Sequence, residues 1–314
     1  MMNKLYPGFL TDVGNIKVGH AQNLEAGTGC SVIIPDEGNT GAVEVRGSAP
    51  GTRETDLLSP TNQVSSLNAV VLAGGSAYGL EAASGVMKAL EEEKIGLDVG
   101  VGVVPIVSSA VLFDLAYKDS STRPDEAMGR EALAKASYDS KEMGLIGAGS
   151  GATVGKAFGM NFAQKSGLGQ ASIKLGELVV SAMVAVNAFG DIFDNERNEQ
   201  IAGPRVDGKM VKTMDNIEKI AQNFADLEGK NTTIGIVATN ATFDKTGLTK
   251  VTQMTHDGYA RAINPVHTMF DGDTIFSIAT NKVEADITLV GALGAKVMAR
   301  AIANAIYSSQ SQEN

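Results

Sequence analysis

The amino-acid sequence predicts a layered α/β sandwich, in which helices cover stacked β-sheets. Short apolar runs rich in β-branched residues, such as Cys30–Pro35 and Ala69–Ala73, are typical of buried strands. Between such runs apolar residues recur at helical spacing, as they do through residues 80–90. Because hairpin-like junctions occur beside crossovers, a layered sandwich is favoured over a purely parallel sheet.

The rest of the chain continues this mixture of elements. Later segments are predicted as strands at 97–107, 178–186, 232–239 and 274–280, and as helices at 216–227 and 292–306. Two polar stretches are predicted at the surface: a loop with a helix within 117–144, and a loop at 195–209. Since no strong linker or internal repeat separates these segments, we expect one domain over residues 1–314.

Bulk composition narrows the class of protein. The chain has 314 residues, 43% of them hydrophobic, which is enough for a large core. It has 36 glycines but only 5% aromatic residues, which indicates close backbone packing and tight loops around a site. A net charge of −10 argues against a nucleic-acid partner, because phosphate binding needs a basic face.

Targeting signals and disulfides are not expected either. Cys30 is the single cysteine, so no internal disulfide framework can form. The first residues lack the apolar segment of a signal peptide, and no apolar run has the length of a membrane span. We therefore expect a cytoplasmic protein without a membrane partner.

Several common catalytic designs do not match the sequence. The three histidines form no HExxH pattern, and no G-x-S-x-G elbow is present. Cys30 lies in an apolar run, which favours a packing role over a nucleophilic one. The segment 147–156 (GAGSGATVGK) resembles a phosphate loop, but Ser150 and Ala157 stand where that motif needs a glycine and a hydroxyl. We expect neither a metal nor a cofactor.

Asn231 and Thr232 stand where a polar loop, 228–231, meets a predicted strand. A threonine hydroxyl is a weak nucleophile unless a base adjoins it. If Thr232 attacked the carbonyl of Asn231, hydrolysis of the resulting ester would release the Thr232 α-amine. With a pKa of about 7.7–8.0, that amine can serve as the base for its own hydroxyl. The alternative, a plain β-branched strand start, is favoured when these residues are taken alone.

Two carboxylates precede the next predicted strand. Asp271 and Asp273 lie at positions i and i+2, so in an extended segment they point to the same side. Such a pair can support a nucleophile, with the two pKa values moved apart by proximity. The alternative is a hairpin turn, because Asp-Gly is a strong turn signal.

Two further polar residues interrupt apolar or glycine-rich segments. Asn187 ends the apolar run 178–186, and its amide is a candidate oxyanion donor; a strand-end cap is the alternative. Lys156 ends the segment 147–156, where a partly buried ammonium would be costly unless it served a charge. A solvent-exposed lysine is the simpler alternative.

Taken together, these segments resemble the L-aminopeptidase/D-esterase family, which includes the β-peptidyl aminopeptidases and the nylon-oligomer endohydrolases. The resemblance runs nearly end to end, through LTDVGNIKVGH, APGTRETDLL, LAGGSAYGLEAASGV, VPIVSSAVLFDL, GATVGKAFG, VAVNAFGDI, NTTIGIVATNA and PVHTMFDGDTIFSIAT. Members are made as one chain that cleaves itself before a serine or threonine. The resemblance implies a four-layer αββα sandwich like that of N-terminal-nucleophile hydrolases, usually assembled into larger oligomers.

The resemblance also implies roles for individual residues. The Asn231–Thr232 bond becomes the processing bond, with Thr232 as the nucleophile on the substrate. The predicted products are fragments 1–231 and 232–314, joined in a homo-oligomer. Four residues match catalytic positions of the nylon-oligomer branch: Lys156, Asn187, Asp271 and Asp273. The lysine and the asparagine there assist the nucleophile and the oxyanion, and the aspartates support the nucleophile through hydrogen bonds. Tyr78 matches an aromatic position of the substrate pocket.

One departure concerns specificity. The aminopeptidase branch carries a glutamate after a Pro-x-Val strand, where it holds the free amine of the substrate. Residues 105–110 read Pro-Ile-Val-Ser-Ser-Ala, with Ser109 in the pocket position and no acid. We therefore expect amide hydrolysis of short peptides or ω-amino acid, nylon-like oligomers. A strict aminopeptidase, an acyltransferase with the same threonine and a non-processing binding protein are the alternatives.

Overall fold

The computed structural model describes residues 4–221 and 231–313. Nineteen strands lie in these ranges: β1 (Ile16–Asn23), β2 (Thr28–Pro35), β3 (Thr40–Val45), β4 (Gly51–Arg53), β5 (Ala69–Ala73), β6 (Leu97–Asp98), β7 (Val103–Val104), β8 (Val107–Val111), β9 (Thr153–Val154), β10 (Gln164–Lys165), β11 (Leu168–Leu175), β12 (Leu178–Ala185), β13 (Asp191–Asp194), β14 (Glu199–Ala202), β15 (Arg205–Val206), β16 (Lys209–Met210), β17 (Ile234–Ala241), β18 (Ile263–Asn264) and β19 (Thr274–Val283).

The described ranges also contain five α-helices and six short 3-10 helices. The α-helices are α1 (Glu81–Glu92), α2 (Glu126–Ala134), α3 (Ile217–Ala221), α4 (Lys245–Ala262) and α5 (Ile287–Glu313). The 3-10 helices are Leu10–Val13, Asp56–Leu58, Ser76–Leu80, Gly147–Gly149, Met160–Phe162 and Met214–Asn216.

Two five-stranded sheets form the centre of the molecule. The first has the strand order β1-β2-β5-β8-β4 and the second the order β11-β12-β17-β19-β3. Most neighbours are antiparallel, but β5 pairs with β8 and β17 with β19 in parallel. The smaller sheets are β14-β13-β18, β10-β9, β15-β16 and β6-β7.

Three apolar layers hold the sheets and helices together. Between the two sheets lies a buried cluster that includes Leu72, Ala110, Met183, Ile236 and Phe276. A second cluster packs α1 and α2 on the outer face of the first sheet, and a third packs α4 and α5 on the second. The chain therefore folds as a four-layer αββα sandwich, which confirms the prediction.

The last helix, α5, is long and apolar enough to cross a membrane by length and composition. However, 72% of the most apolar stretch of this helix is buried inside the protein, where it packs against the second sheet and α4. Burial of this kind is typical of a core helix, because the apolar surface is covered by other parts of the chain.

Helix α4 was not predicted, because its sequence is polar. Its side-chain cap is Asp244, which accepts the backbone N–H of Gly247 at 2.7 Å. Within the helix, the buried hydroxyls of Thr252 and Thr255 donate to carbonyls one turn earlier, at 2.7 and 2.9 Å. These bonds let a helix with few apolar residues pack against the second sheet.

Two predicted segments were wrong, the strand 97–107 and the loop 195–209. The predicted strand 97–107 is a short hairpin, β6–β7, followed by β8, because glycines with positive φ turn the chain at Gly100 and Gly102. The predicted loop with a helix within 117–144 is confirmed, with the helix at Glu126–Ala134 as α2. The predicted loop 195–209 carries β14 and β15. Of the predicted helix 216–227, residues 217–221 form α3, and 222–227 lie outside the described residues.

Candidate active site

Strand register brings the predicted catalytic residues together. In the parallel pair β17–β19, Ile234 lies beside Thr274, and an isolated bridge pairs Asn231 with Asp271. On the other side of β17, Ala185 of β12 pairs with Ile234. Continued by two residues, this register places Asn187 beside Thr232, whose N–H donates to the Asn187 carbonyl at 2.9 Å.

Thr232 is buried at the start of β17, with its hydroxyl next to the predicted processing bond. Its Oγ1 donates a hydrogen bond to the carbonyl oxygen of Asn231. The same oxygen accepts the backbone N–H of Gly272 at 3.1 Å. The Thr232 hydroxyl thus lies against the carbonyl group of the predicted processing bond.

Lys156 is buried, with 4% of its surface exposed, so the alternative of a solvent-exposed lysine is wrong. Its backbone N–H donates to Phe189, and its ammonium donates to Asn187, at 2.7 Å to Oδ1 and 3.2 Å to the carbonyl oxygen. Burial lowers the pKa of Lys156 to about 7, although the charge of Asp271 opposes the shift. At neutral pH the amine is therefore present in both protonation states.

Asn187 connects these groups. Its Oδ1 accepts the N–H of Thr153 at 3.1 Å in addition to the lysine, and its Nδ2 donates to the carbonyl of Phe113 at 2.9 Å. The amide therefore anchors Lys156 in this uncleaved chain. Its predicted role as an oxyanion donor stays a prediction.

The segment Asp271–Asp273 is extended and continues the parallel pairing of β17 with β19, so the predicted alternative of a hairpin turn is wrong. Asp271 Oδ2 accepts the N–H and hydroxyl of Thr268 at 2.9 and 2.5 Å. Burial, and then the charge of Asp273, raises the pKa of Asp271 to about 6. Asp273 Oδ1 accepts the N–H of Thr233 at 2.8 Å, which fixes the backbone directly after Thr232.

Tyr78 and Ser109, the predicted pocket residues, have different surroundings. Tyr78 is 62% exposed, and the Arg123 guanidinium lies 3.9 Å from its ring centroid. Ser109 is fully buried in β8, and its Oγ has no hydrogen-bond partner within the described ranges. Their assignment to the substrate pocket stays a prediction.

Sequence reasoning missed three contributions to the site. His267 donates its N–H to Asp273 Oδ2 at 3.2 Å, and its Nδ1 lies 2.9 Å from the same oxygen. A loop covers the acidic segment, with Gly47 and Ala49 donating to the carbonyls of Asp273 and Asp271 at 3.1 and 2.9 Å. Gly272 supplies the N–H already described. The one signal for His267 was its place in the segment PVHTMFDGDT.

Potential metal ligands do not cluster in the described part of the chain. Within residues 4–221 and 231–313, no group of three or more His, Cys, Asp or Glu side chains is arranged to hold a metal ion. The groups that surround Thr232 are a lysine, an amide, two carboxylates and backbone N–H donors.

The chain is similar in sequence to known proteins over nearly its whole length. The chain is 40% identical to an uncharacterized aminopeptidase of Mycobacterium leprae over 96% of this chain and 91% of the relative. It is 30% identical to a 6-aminohexanoate-oligomer endohydrolase of Agromyces sp. over 94% and 84% of the two chains.

Solved structures show the same fold. The L-aminopeptidase D-Ala-esterase/amidase of Ochrobactrum anthropi, described as a variant of the Ntn hydrolase fold, superposes with a TM-score of 0.70 at 16% identity, over 97% and 87% of the two chains. A β-aminopeptidase of Burkholderia sp. gives a TM-score of 0.69 at 18% identity, over 97% and 88%. Residues 9–314 match the sequence profile of peptidase family S58, so this chain belongs to that family and is a hydrolase of peptide or amide bonds.

Proposed function

We propose that this hydrolase first cleaves its own Asn231–Thr232 bond and then uses Thr232 as an N-terminal nucleophile. The observation that carries the proposal is the contact between Thr232 Oγ1 and the carbonyl of Asn231, next to a buried lysine. A plain strand start would need neither Lys156 nor the buried acids beside it. Burying these charged groups is costly, and function is the usual reason for such a cost.

Self-cleavage begins with attack of Thr232 Oγ1 on the carbonyl carbon of Asn231. Neutral Lys156 takes the hydroxyl proton, an Oγ–C bond forms and the C–N bond breaks. The Lys156 ammonium and the Thr232 N–H both donate to the carbonyl oxygen of Asn187, so the two nitrogens lie close together. The ammonium formed in the first step therefore protonates the leaving nitrogen of Thr232. Water hydrolyses the ester, leaving a carboxylate on Asn231 and a free amine on Thr232.

The same residues then serve the substrate reaction. The free amine of Thr232, with a typical pKa of about 7.7–8.0, accepts the proton of its own hydroxyl as that hydroxyl attacks an amide carbonyl. The Asn187 carbonyl accepts the N–H of Thr232 at 2.9 Å and so orients that nitrogen. Asp273 holds the next residue through the N–H of Thr233. As the C–N bond of the substrate breaks, the Thr232 ammonium returns this proton to the leaving amine. Water then hydrolyses the acyl-enzyme ester.

The substrate class follows from the relatives and from the segment 105–110. One relative is named an aminopeptidase and another an endohydrolase of 6-aminohexanoate oligomers. Because Ser109 stands where the aminopeptidase branch has an acid, we favour short peptides or ω-amino acid oligomers without a strict need for a free amine. An acyltransferase would require an amine acceptor, whereas a hydrolase turns over a simple amide in buffer alone.

Intact-mass analysis tests the proposal directly. The purified protein should contain fragments of 231 and 83 residues that co-purify without a covalent link, because β17 is a central strand of its sheet. Thr232→Ala should remain one chain. The matched control is Thr233→Ala, which removes a neighbouring buried hydroxyl that has no partner within the described ranges and should still split. Splitting of Thr232→Ala at this bond would show that the hydroxyl is not the agent.

Assembly and location complete the proposal. We propose a homo-oligomer of cleaved units, supported by the resemblance of the whole chain to the family. We propose a cytoplasmic location, supported by the single, buried cysteine, which leaves the chain without an internal disulfide.

A further inference from the structure

Gly272 lies directly beside the bond that the chain is proposed to cut. Its backbone N–H donates to the carbonyl oxygen of Asn231 at 3.1 Å. This contact follows from the register, since the bridge between Asn231 and Asp271 sets residue 272 next to residue 232. The donor therefore belongs to the sheet framework, and its position does not depend on a side-chain rotamer.

The surroundings of Gly272 have no room for a side chain. A Cβ atom at this position would lie 2.8 Å from Thr232 Oγ1 and 2.6 Å from the carbonyl oxygen of Ala49. Ala49 in turn donates its N–H to the carbonyl of Asp271 at 2.9 Å, which holds the loop against this strand. The absence of a side chain lets the backbone of residue 272 approach the nucleophile and the scissile carbonyl together.

We propose that the Gly272 N–H is the oxyanion donor of the self-cleavage step. The inference rests on the proposed self-cleavage and adds the group that stabilises its transition state. As the Thr232 Oγ–C bond forms, negative charge develops on the carbonyl oxygen of Asn231. The hydroxyl gives its proton to Lys156 in that step and no longer donates to this oxygen, whereas the Gly272 N–H still does.

The role of Gly272 differs from that of its neighbours. Asp271 and Asp273 act through their side chains, which accept hydrogen bonds from Thr268 and from the Thr233 backbone. Gly272 provides only its peptide N–H, aimed at the atom where charge accumulates. Donors fixed in advance at such an oxygen typically contribute a factor of about 10²–10³ in rate.

An amide-to-ester replacement at residue 272 removes this hydrogen and adds no atom beyond the ester oxygen. Cell-free translation can insert glycolic acid in place of Gly272, and radiolabelled product on a denaturing gel reports the splitting rate. The matched control is glycolic acid at Gly208, an exposed turn glycine where a Cβ would have no neighbouring atom within 4 Å. We expect splitting at Asn231–Thr232 to slow by about 100-fold or more at 272 and to stay unchanged at 208.

The possible outcomes separate this inference from the proposal on which it rests. If the unmodified chain does not split, the proposed self-cleavage fails. If it splits and the 272 ester splits at the same rate, self-cleavage stands and the Gly272 inference is overturned. Resistance to limited proteolysis establishes that the ester chain is folded.

A second variant covers the case of an ester chain that does not fold. Gly272→Ala, purified and compared with wild type by thermal unfolding, should be folded and remain mostly uncut, because its Cβ displaces the backbone donor from the nucleophile and carbonyl. Splitting of this variant at the wild-type rate would contradict the inferred geometry.

Discussion

Lys156→Met is the substitution that most directly tests the electrostatics of the site. Methionine has a similar length and no charge, so it fills the space of the lysine without placing an ammonium in a buried position. Both proteins should carry Thr232→Ala, so that each is a single uncut chain. We expect Lys156→Met to raise the free energy of unfolding at neutral pH, although Lys156 is proposed to be essential for activity.

The magnitude follows from the pKa of Lys156, which burial lowers from 10.5 to about 7. One pKa unit corresponds to about 1.4 kcal/mol. The unfolded state binds more protons than the folded state between these two pKa values, so the stability of the lysine protein rises with pH in that window. Burial of Lys156 costs about 4 kcal/mol at pH 7 and about 1 kcal/mol at pH 10.

Part of this cost is offset by contacts that the lysine makes. Asn187 loses one hydrogen-bond donor in the variant but keeps the N–H of Thr153 on Oδ1 and the N–H of Thr232 on its carbonyl. Asp271 loses a neighbouring positive charge that lowers its pKa. We therefore expect a net stabilisation of about 1–3 kcal/mol at pH 7, below the full desolvation cost.

Urea unfolding at pH 7 and pH 10 is the assay. The gain from Lys156→Met should fall by about 3 kcal/mol between these conditions, so that it is lost or reversed at pH 10. Lys135→Met is the control, because Lys135 is exposed and its pair with Glu131 spans one helical turn at the surface; its effect should stay small at both pH values. A Lys156→Met protein that is destabilised at pH 7, or a gain that does not change with pH, would refute the reasoning.

Two further predictions concern turnover and specificity. Asn187→Ala should lower kcat by roughly 100-fold with a much smaller change in KM, since the amide positions Lys156 and is a predicted oxyanion donor. If the variant is folded and processed but keeps the wild-type kcat, Asn187 has no role in the mechanism. The second test compares two short amides that differ only in the N-terminus, which is free in one and acetylated in the other. Their kcat/KM values should lie within about tenfold of each other, because a charged hydrogen bond to the amine, worth roughly 1.5–3 kcal/mol, is missing at Ser109. A preference of several hundredfold for the free amine would instead establish a strict aminopeptidase.

Much of the fold could be predicted because local patterns agreed with it. The run Ala69–Ala73 is strand β5 without a change of boundary, and the spacing through residues 80–90 corresponds to α1. Strands β17 and β19 begin within two residues of their predicted starts. In these segments apolar periodicity is a direct consequence of burial on one or both faces, so the pattern is visible in the sequence.

Helix α4 could not be predicted from apolar periodicity. Its buried face includes Thr252 and Thr255, whose hydroxyls donate to carbonyls one turn earlier. It also includes His256, whose Nε2 lies 3.0 Å from the carbonyl oxygen of Glu44. Sequence periodicity counts such residues as polar, although the structure buries them. The prediction of one strand over residues 97–107 was wrong for the opposite reason, because residues that look buried in the sequence are exposed. The apolar run continues through a turn at Gly100, and the hairpin around this turn is exposed.

The site residues could be marked in the sequence, but their arrangement could not. Chemical type and position marked Lys156, Asn187, Thr232 and the two aspartates as candidates, and the resemblance to the family implied their catalytic roles. Their proximity depends on the register of β12, β17 and β19, which sets residues far apart in sequence side by side. The N–H of Gly272 has no side-chain signature at all. A backbone donor acquires its function only when the folded sheet aims it at an acceptor, and that direction is a property of the assembled strands.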